Sequence, residues 1–255
     1  RSPEHPSSDL LAARVSYALD SGRYELAAEG TGLALVPAHL PGGAQINGTL
    51  SLEASGTGTI ENPSFDLEIG SNDLHAWRQP LGPVSVTARI RGKEAGIRAL
   101  APDLDLSSDA TLTLRAPWPF RVTVEARDSD LAAAGLEWRG RPVTGSLRAD
   151  ISGSGELGDL EASRIEALIE EVTARAGELE VRTGAPAGIH YRGRSLEFAP
   201  PLALAVGRSA IELGGRLPVR AGAPAGTVDL KGRLDLADTG TVFTPPEGFG
   251  LEGVL

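Results

Sequence analysis

The sequence predicts an all-β protein, an elongated antiparallel sheet of many short strands with short helical turns between repeats. Three observations predict it: apolar and polar residues alternate along most of the chain, glycine and proline interrupt the alternating runs, and one residue pattern recurs. A period of two places successive side chains on opposite faces of a strand. The 32 glycines and 18 prolines suit frequent turns and not a helical bundle.

The alternating runs mark individual strands. Val84 and Val86, for example, are separated by Ser85 and followed by Thr87. Equivalent runs predict strands near residues 50–54, 65–69, 84–90, 120–126, 179–181, 202–206, 211–213 and 228–230. Turns between strands are predicted at Gly42-Gly43, Asn62-Pro63, Gly82-Pro83, Gly92, Ala116-Pro117, Pro200-Pro201, Gly214-Gly215 and Gly226.

One segment, residues 163–176, fits two kinds of structure. A capping box begins at Ser163, and Ile165, Leu168, Ile169 and Val172 follow at helical spacing. Residues 165, 167 and 169 also alternate as in a strand, and the segment lies inside a β-repeat. We favour a strand here, with a helix as the alternative.

A thirteen-residue pattern occurs twice in the chain. It runs from Ile46 to Gly58 as INGTLSLEASGTG and from Val143 to Gly155 as VTGSLRADISGSG, 97 residues later. A further copy begins with LEGVL at Leu251. A repeat of roughly 100 residues is long enough for several hairpins, so it predicts a modular sheet and not a solenoid coil.

A second marker accompanies this repeat. Asp9-Leu10, Asp130-Leu131 and Asp235-Leu236 are each followed closely by alanine, and we interpret them as short helical turns between blocks of sheet. The predicted organisation is a first block over residues 1–129, a second over 130–234 and the start of a third, truncated block over 235–255.

Composition excludes several classes of function. The net charge is −10 without a basic block, which argues against nucleic acid and against tight docking on an anionic membrane surface. The absence of cysteine excludes disulfides and thiolate chemistry. The chain also lacks methionine, a signal-peptide pattern and a long apolar run, so we expect a piece of a longer protein whose targeting and anchoring segments lie outside it.

No catalytic or metal-binding pattern is recognisable, and we expect neither an enzyme nor a cofactor. The four histidines, His5, His39, His75 and His190, are not at metal-ligand spacing. The glycine pairs 56/58 and 153/155 lack the lysine and helix of a phosphate loop, and there is no nucleophile elbow.

The remaining candidate site is the apolar face itself. It is aliphatic and poor in aromatic residues, and an exposed face of this size needs either closure on itself or a partner. Fatty acyl chains satisfy the second condition, because they need apolar contact and little hydrogen bonding. The predicted lining is Leu50, Leu52, Leu67, Ile69, Val84, Val86, Val122, Val124, Leu147, Ile151, Leu202, Leu204, Ile211 and Leu213.

The chain resembles the TamB family and the related AsmA-like proteins of diderm bacteria. The resemblance rests on INGTLSLEASGTGTIENPSF from Ile46 to Phe65, and on the strand and turn order from Gly177 to Pro218. It implies a curled, open β-groove (a β-taco) in the periplasm, anchored in the inner membrane through segments outside this chain. It further implies phospholipid movement between the inner and outer membranes, a role in outer-membrane biogenesis, and a TamA-type barrel partner contacted by regions not in this chain.

Two other functions fit the same strands. In a structural or adhesive surface protein, such as an autotransporter passenger or a string of β-sandwiches, the apolar faces form closed cores. In a carbohydrate-binding module, Trp77, Trp118 and Trp138 line a sugar platform, although their spacing is irregular.

Overall fold

The computed structural model describes residues 10–35, 38–39, 45–76, 79–133, 136–138, 140–219 and 225–233. Within them the protein is all-β, with a 17-stranded antiparallel sheet and one two-stranded hairpin. The predicted fold class is therefore confirmed. The strands of the first half are β1 (Leu10–Ala18), β2 (Arg23–Ala34), β3 (Ala38–His39), β4 (Gln45–Asn47), β5 (Thr49–Thr59), β6 (Pro63–Ala76), β7 (Gln79–Arg91), β8 (Glu94–Ala101), β9 (Leu106–Thr113) and β10 (Pro119–Asp130). Those of the second half are β11 (Glu137–Trp138), β12 (Arg141–Pro142), β13 (Thr144–Glu156), β14 (Asp159–Ala176), β15 (Leu179–Thr183), β16 (Ala187–Arg192), β17 (Ser195–Val206), β18 (Ser209–Pro218) and β19 (Val228–Arg233).

The sheet is an almost unbroken meander. Each position across the sheet is here called a rank and holds one strand, except that β15 and β16 lie end to end in the same rank. The order of the ranks is β1, β2, β5, β6, β7, β8, β9, β10, β13, β14, β15 with β16, β17, β18 and β19. At about 4.8 Å per rank, the sheet extends roughly 60 Å across its strands. It runs without a break through the predicted block boundary at residues 129 and 130, since β10 pairs with both β9 and β13.

The sequence repeat corresponds to a repeated arrangement of strands. In the first copy the small β3–β4 pair, which joins the sheet through β6, is inserted between β2 and β5, and the chain returns as β5 beside β2. In the second copy it leaves after β10, forms the β11–β12 hairpin, and returns as β13 beside β10. Most of the matching residues therefore form the returning strand, 49–58 in β5 and 144–155 in β13, whereas Ile46 and Asn47 of the first copy belong to β4. The third block, residues 235–255, lies outside the described residues.

A row of β-bulges crosses the sheet near one end of its strands. Register shifts occur at residues 30–33 of β2, 71–74 of β6, 126–129 of β10, 169–171 of β14 and 198–202 of β17. The pairings around them place these five sites at nearly the same height on the sheet. Because a bulge bends its strand and increases the local twist, such a row gives the sheet its curl.

The ambiguous segment 163–176 is part of strand β14, so the strand interpretation is confirmed. Its helical spacing has a simple cause. Ala149 pairs with Ile169 and Arg148 pairs with Glu171, which leaves Glu170 as the extra residue of a bulge. The bulge shifts the alternation by one residue, so that Ile165, Ile169 and Val172 share a face despite their spacing. Leu168, the other residue at helical spacing, lies opposite Asp150 on the polar face and is 42% exposed.

Two single-residue deletions in β14 test this register. Both deletion of Glu170 and deletion of Leu168 remove the bulge and give strands of equal length. Deleting Glu170 keeps Ile169 on its present face, whereas deleting Leu168 moves Ile169 to the opposite face and puts Glu170 in its place. We expect the Leu168 deletion to be less stable than the Glu170 deletion by about 2 kcal/mol, the value of burying one large aliphatic side chain. Urea unfolding measures the difference, and equal stabilities would contradict the assigned register.

The helical turns lie elsewhere than predicted. Leu10 begins strand β1 because it pairs with Thr31, and Asp130 ends β10 in a non-helical turn where its carboxylate accepts the Ala132 amide at 2.8 Å. Among the described residues, the helical turn present is a single 3-10 turn, Pro102–Leu104, between β8 and β9. Asp9 and the Asp235-Leu236 pair lie outside the described residues.

Three predicted turns lie inside strands instead. Gly82-Pro83 lies within β7, opposite the bulge of β6, and Pro200-Pro201 lies within the bulge of β17. Gly214-Gly215 lies within β18, where Gly215 has φ +89°. Glycine and proline therefore mark bends of the strands here as well as their ends. Gly42-Gly43 lies outside the described residues.

Candidate functional site: the apolar face of the sheet

The strand register places nearly all large aliphatic side chains on one side of the sheet, here called the apolar face. Directly paired residues point to the same side, so one row can be followed from strand to strand. One such row is Leu52, Ile69, Val86, Ala99, Ser108, Val124, Ile151, Ala167, Ile189 and Phe198. The opposite side, the polar face, carries Glu, Asp, Arg, Ser and Thr at the intervening positions.

All fourteen residues predicted to line the site lie on this face. The pairs Leu52–Ile69, Val124–Ile151 and Leu204–Ile211 are examples. Thirteen of the fourteen are half-buried and Ile151 is 38% exposed. Sequence alternation was therefore sufficient to assign these residues to one face of the sheet. Successive residues of a strand point to opposite faces, and only a bulge changes this order.

No layer covers the centre of the apolar face among the described residues. Over the described strands and turns, the buried hydrophobic residues are seven alanines and Val206, and no large side chain is fully buried. In a closed sandwich, the central Leu, Ile and Val side chains of two sheets would bury one another. Here they remain partly open to solvent in a single layer.

Several small side chains on the apolar face are more covered than those on the polar face. Ala54, Ala126 and Ala149 on this face are only 4–7% exposed, although no second sheet covers them. On the polar face, Ala27 and Ala210 are exposed. The side chain is the same in both sets, so the difference indicates that neighbouring side chains lean over the apolar face, as they do inside a groove.

Aromatic side chains on this face were missing from the predicted lining. Gly56 pairs with Phe65, and Tyr24 lies on the same face one pair further along, opposite Gly58. A Cβ on Gly56 would meet the Phe65 ring at 2.9 Å and the Tyr24 ring at 3.5 Å. The glycine thus makes room for two rings, which explains the first Gly-x-Gly better than a bulge does. Tyr24 and Phe65 each lie two residues from an apolar-face leucine on the same strand, Leu26 and Leu67, so the alternation in the sequence could have identified them. Further aromatic residues on the apolar face are Phe120, Tyr191 and Phe198.

The polar face is covered by short cross-strand ion pairs. The two carboxylate oxygens of Asp66 each accept a hydrogen bond from Arg91 at 2.7 Å, and Arg148 binds Asp128 at 2.6 and 2.7 Å. These contacts raise the pKa of Arg148, chiefly through the hydrogen bonds to Asp128. Such exposed pairs contribute little stability individually, and they keep this face hydrated.

The structure does not bring the tryptophans together. Trp118 precedes β10 and Trp138 lies in the hairpin that follows it, so the twelve residues of β10 separate them by roughly 40 Å. Each is about half exposed, and Trp77 lies outside the described residues. The two described tryptophans therefore cannot line a common sugar platform.

The described histidines make backbone contacts. His75 Nδ1 lies 2.7 Å from the Asp73 carbonyl oxygen, and His190 Nε2 lies 2.9 Å from that of Ala199. His39 is in the short strand β3, and His5 lies outside the described residues. Over the part of the chain that the structure describes, no group of three or more His, Asp or Glu residues could hold a metal ion.

The described residues contain no helix long and apolar enough to cross a membrane. Comparison with known proteins finds no similar family model, no similar curated protein and no similar solved structure.

Proposed function

We propose that this chain is a segment of a TamB-like periplasmic protein, anchored in the inner membrane, whose apolar groove carries phospholipid acyl chains between the two membranes. In this proposal it serves outer-membrane biogenesis, and regions outside the chain contact a barrel partner of the TamA type. The protein is a conduit and not an enzyme, and the side chains of the apolar face are its working surface.

One observation carries the proposal: an aliphatic face crosses every rank of the sheet and no second layer covers it. Removing apolar surface from water is favourable by about 25 cal/mol per Å², so an open face of this extent favours an apolar occupant. Acyl chains fit better than a protein segment, because the face offers them apolar contact throughout and few hydrogen-bonding groups.

The described residues favour this proposal over a string of β-sandwiches. A sandwich needs a second sheet of comparable size, whereas the additional pairing here is a two-stranded hairpin. A sandwich core also needs fully buried large side chains, and these are absent from the described strands. An adhesive role would use the outer surface and would leave the apolar face without an occupant.

Site-specific photocrosslinking in the full-length protein tests the proposal. A photoreactive phenylalanine analogue at Leu67 lies on the apolar face, and the same analogue at Glu68 provides the control one residue away on the polar face. We expect phospholipid adducts, identified by mass spectrometry after ultraviolet irradiation of whole cells, at position 67 and at least ~10-fold fewer at position 68. Equal lipid yields at the two positions, or protein adducts alone at position 67, would contradict the proposal.

A further inference from the structure

We propose that the polar face carries an oxyanion-binding site for phosphate groups, formed by Arg89, Arg98 and Arg121 over Gly96. This site lies on the opposite side of the sheet from the acyl-chain groove, and it is independent of the proposed conduit function. The inference rests on the register of four neighbouring strands, on the long or missing ion pairs of the three arginines, and on a hollow between them.

The strand register brings the three arginines around one spot. Arg89 on β7 pairs with Gly96 on β8, Gly96 pairs with Thr111 on β9, and Thr111 pairs with Arg121 on β10. The two outer arginines thus flank a glycine and a threonine in one row. Arg98 lies two residues from Gly96 on the same side of β8.

The glycine leaves a depression in this surface. A Cβ placed on Gly96 would meet no atom within 4 Å, and the hollow over it has a volume of about 470 Å³. Thr87 and Thr111 also line it and add hydroxyl donors, and Thr123 lines it with a hydroxyl that donates to the Asp109 carbonyl oxygen at 3.4 Å. The hollow is open to solvent, so a ligand can enter directly.

Two guanidinium groups of this site have one long ion pair each, and neither is hydrogen-bonded to its carboxylate. Arg91 occupies both oxygens of Asp66, and Arg89 Nε stays 3.7 Å from the nearer one. Arg98 Nε lies 3.9 Å from Asp109, the one carboxylate that lines the hollow. No ion pair joins Arg121 to any described residue.

The charge of this site opposes that of the whole chain. The lining holds three arginines and one aspartate in a protein of net charge −10. Guanidinium groups donate paired hydrogen bonds that match the geometry of phosphate oxygens, and hydroxyls complete such a site. A phosphate group is therefore the ligand chemistry that this arrangement fits, whether it belongs to a lipid headgroup or to a soluble compound.

Titration of the full chain with inorganic phosphate tests the site. Calorimetry at low salt should show saturable binding, and two-dimensional NMR should show shifts at the Gly96 amide. The Arg98→Gln/Arg121→Gln double variant should weaken binding at least ~10-fold, because two of three charge-assisted donors are lost. Gly96→Glu should do the same by placing a carboxylate in the hollow, and it meets no neighbouring atom that would prevent folding.

The control is Arg23→Gln, which removes one exposed charge at the start of β2, far from the hollow. It should leave phosphate binding unchanged. Absence of saturable binding, or equal weakening by Arg23→Gln and by the site variants, would overturn the proposal. Circular dichroism of each variant separates loss of binding from loss of fold.

Vesicles distinguish the two sources of the phosphate group. Sedimentation with phosphatidylcholine vesicles, with and without phosphatidic acid, measures binding to a lipid headgroup. Binding to the phosphatidic acid vesicles that is lost in Arg98→Gln/Arg121→Gln would assign the site to a membrane surface. Phosphate binding in solution without vesicle binding would assign it to a soluble ligand, and both outcomes support an oxyanion site.

Discussion

Leu52→Glu should abolish lipid loading of the groove, whereas Ser51→Glu should leave it intact. The two residues are adjacent on β5 and their side chains lie on opposite faces. A carboxylate at position 52 would stand among Leu50, Ala54 and Ile69, where an acyl chain cannot satisfy its charge. At position 51 the same carboxylate faces water. Comparing lipid loading of the two variants therefore separates the effect of placing a charge on the apolar face from the effect of adding a charge to the protein.

The expected loss is large because each charged residue interrupts a continuous apolar path. Leu67→Glu and Val124→Glu, in the ranks of β6 and β10, should behave as Leu52→Glu does. We expect lipid adducts in the full-length protein to fall ~10-fold or more in each case, with weakened outer-membrane integrity. Mass spectrometry of adducts and sensitivity to detergent provide the two measurements.

Folding has to be checked separately, because a half-buried charge also costs stability. We expect each of these substitutions to lower the free energy of unfolding by about 1–3 kcal/mol. Leu52→Met keeps the apolar character and should retain lipid loading. Normal lipid adducts in folded Leu52→Glu, Leu67→Glu and Val124→Glu proteins would refute the acyl-chain conduit.

Gly145→Ala should destabilise the sheet by about 3 kcal/mol or more. Gly145 has φ +134°, a conformation that residues with a Cβ rarely adopt, and a Cβ there would overlap the carbonyl oxygen of Thr173 on the paired strand β14. Backbone strain and overpacking each cost roughly 1–3 kcal/mol, and neither can be relieved by moving a flexible side chain.

The matched control is Gly96→Ala, also in the interior of the sheet. Gly96 has no positive φ, and a Cβ there has open space, so this change should alter stability by less than about 1 kcal/mol in either direction. Urea unfolding of both variants checks the contrast. Equal effects of the two substitutions would contradict the backbone geometry assigned to Gly145.

Gly48 should behave as Gly145 does, because it occupies the same place in the other copy of the repeat. It has φ +145°, and a Cβ there would lie 2.8 Å from the Asp73 carbonyl oxygen on the neighbouring strand. The next residue, Thr49, donates from its amide and hydroxyl to the Asp73 carboxylate at 2.9 and 2.8 Å. These hydrogen bonds, the amide first, lower the pKa of Asp73 and help to fix where the returning strand begins.

The repeat shows how far sequence reasoning reaches in this protein. The recurrence of Gly at positions 48 and 145 was visible in the sequence, but its reason was not. The reason is the close approach of a neighbouring strand's backbone, and that contact depends on which strand lies beside it. A glycine needed for backbone approach and a glycine that ends a strand look alike in a single sequence.

The bulges show the opposite limit. Local alternation assigns each residue to the correct face of the sheet until a bulge adds an extra residue. Beyond the bulge, the spacing of apolar residues resembles that of a helix, as it does around Glu170. Glycine and proline pairs within strands were predicted as turns for the same reason, because a bend and a turn use the same residues.

The sequence by itself determined the all-β class, the repeat, and the side of the sheet on which each of the fourteen lining residues lies. These properties depend on parity between neighbouring residues, which a sequence records directly. Only the tertiary structure decided that one 17-stranded sheet contains all the described strands except the β11–β12 hairpin, that its bulges align into a row that curls it, and that Arg89, Arg98 and Arg121 surround one hollow. Those properties depend on pairing between strands that are distant in the sequence, and the register of such pairing cannot be read from a single sequence.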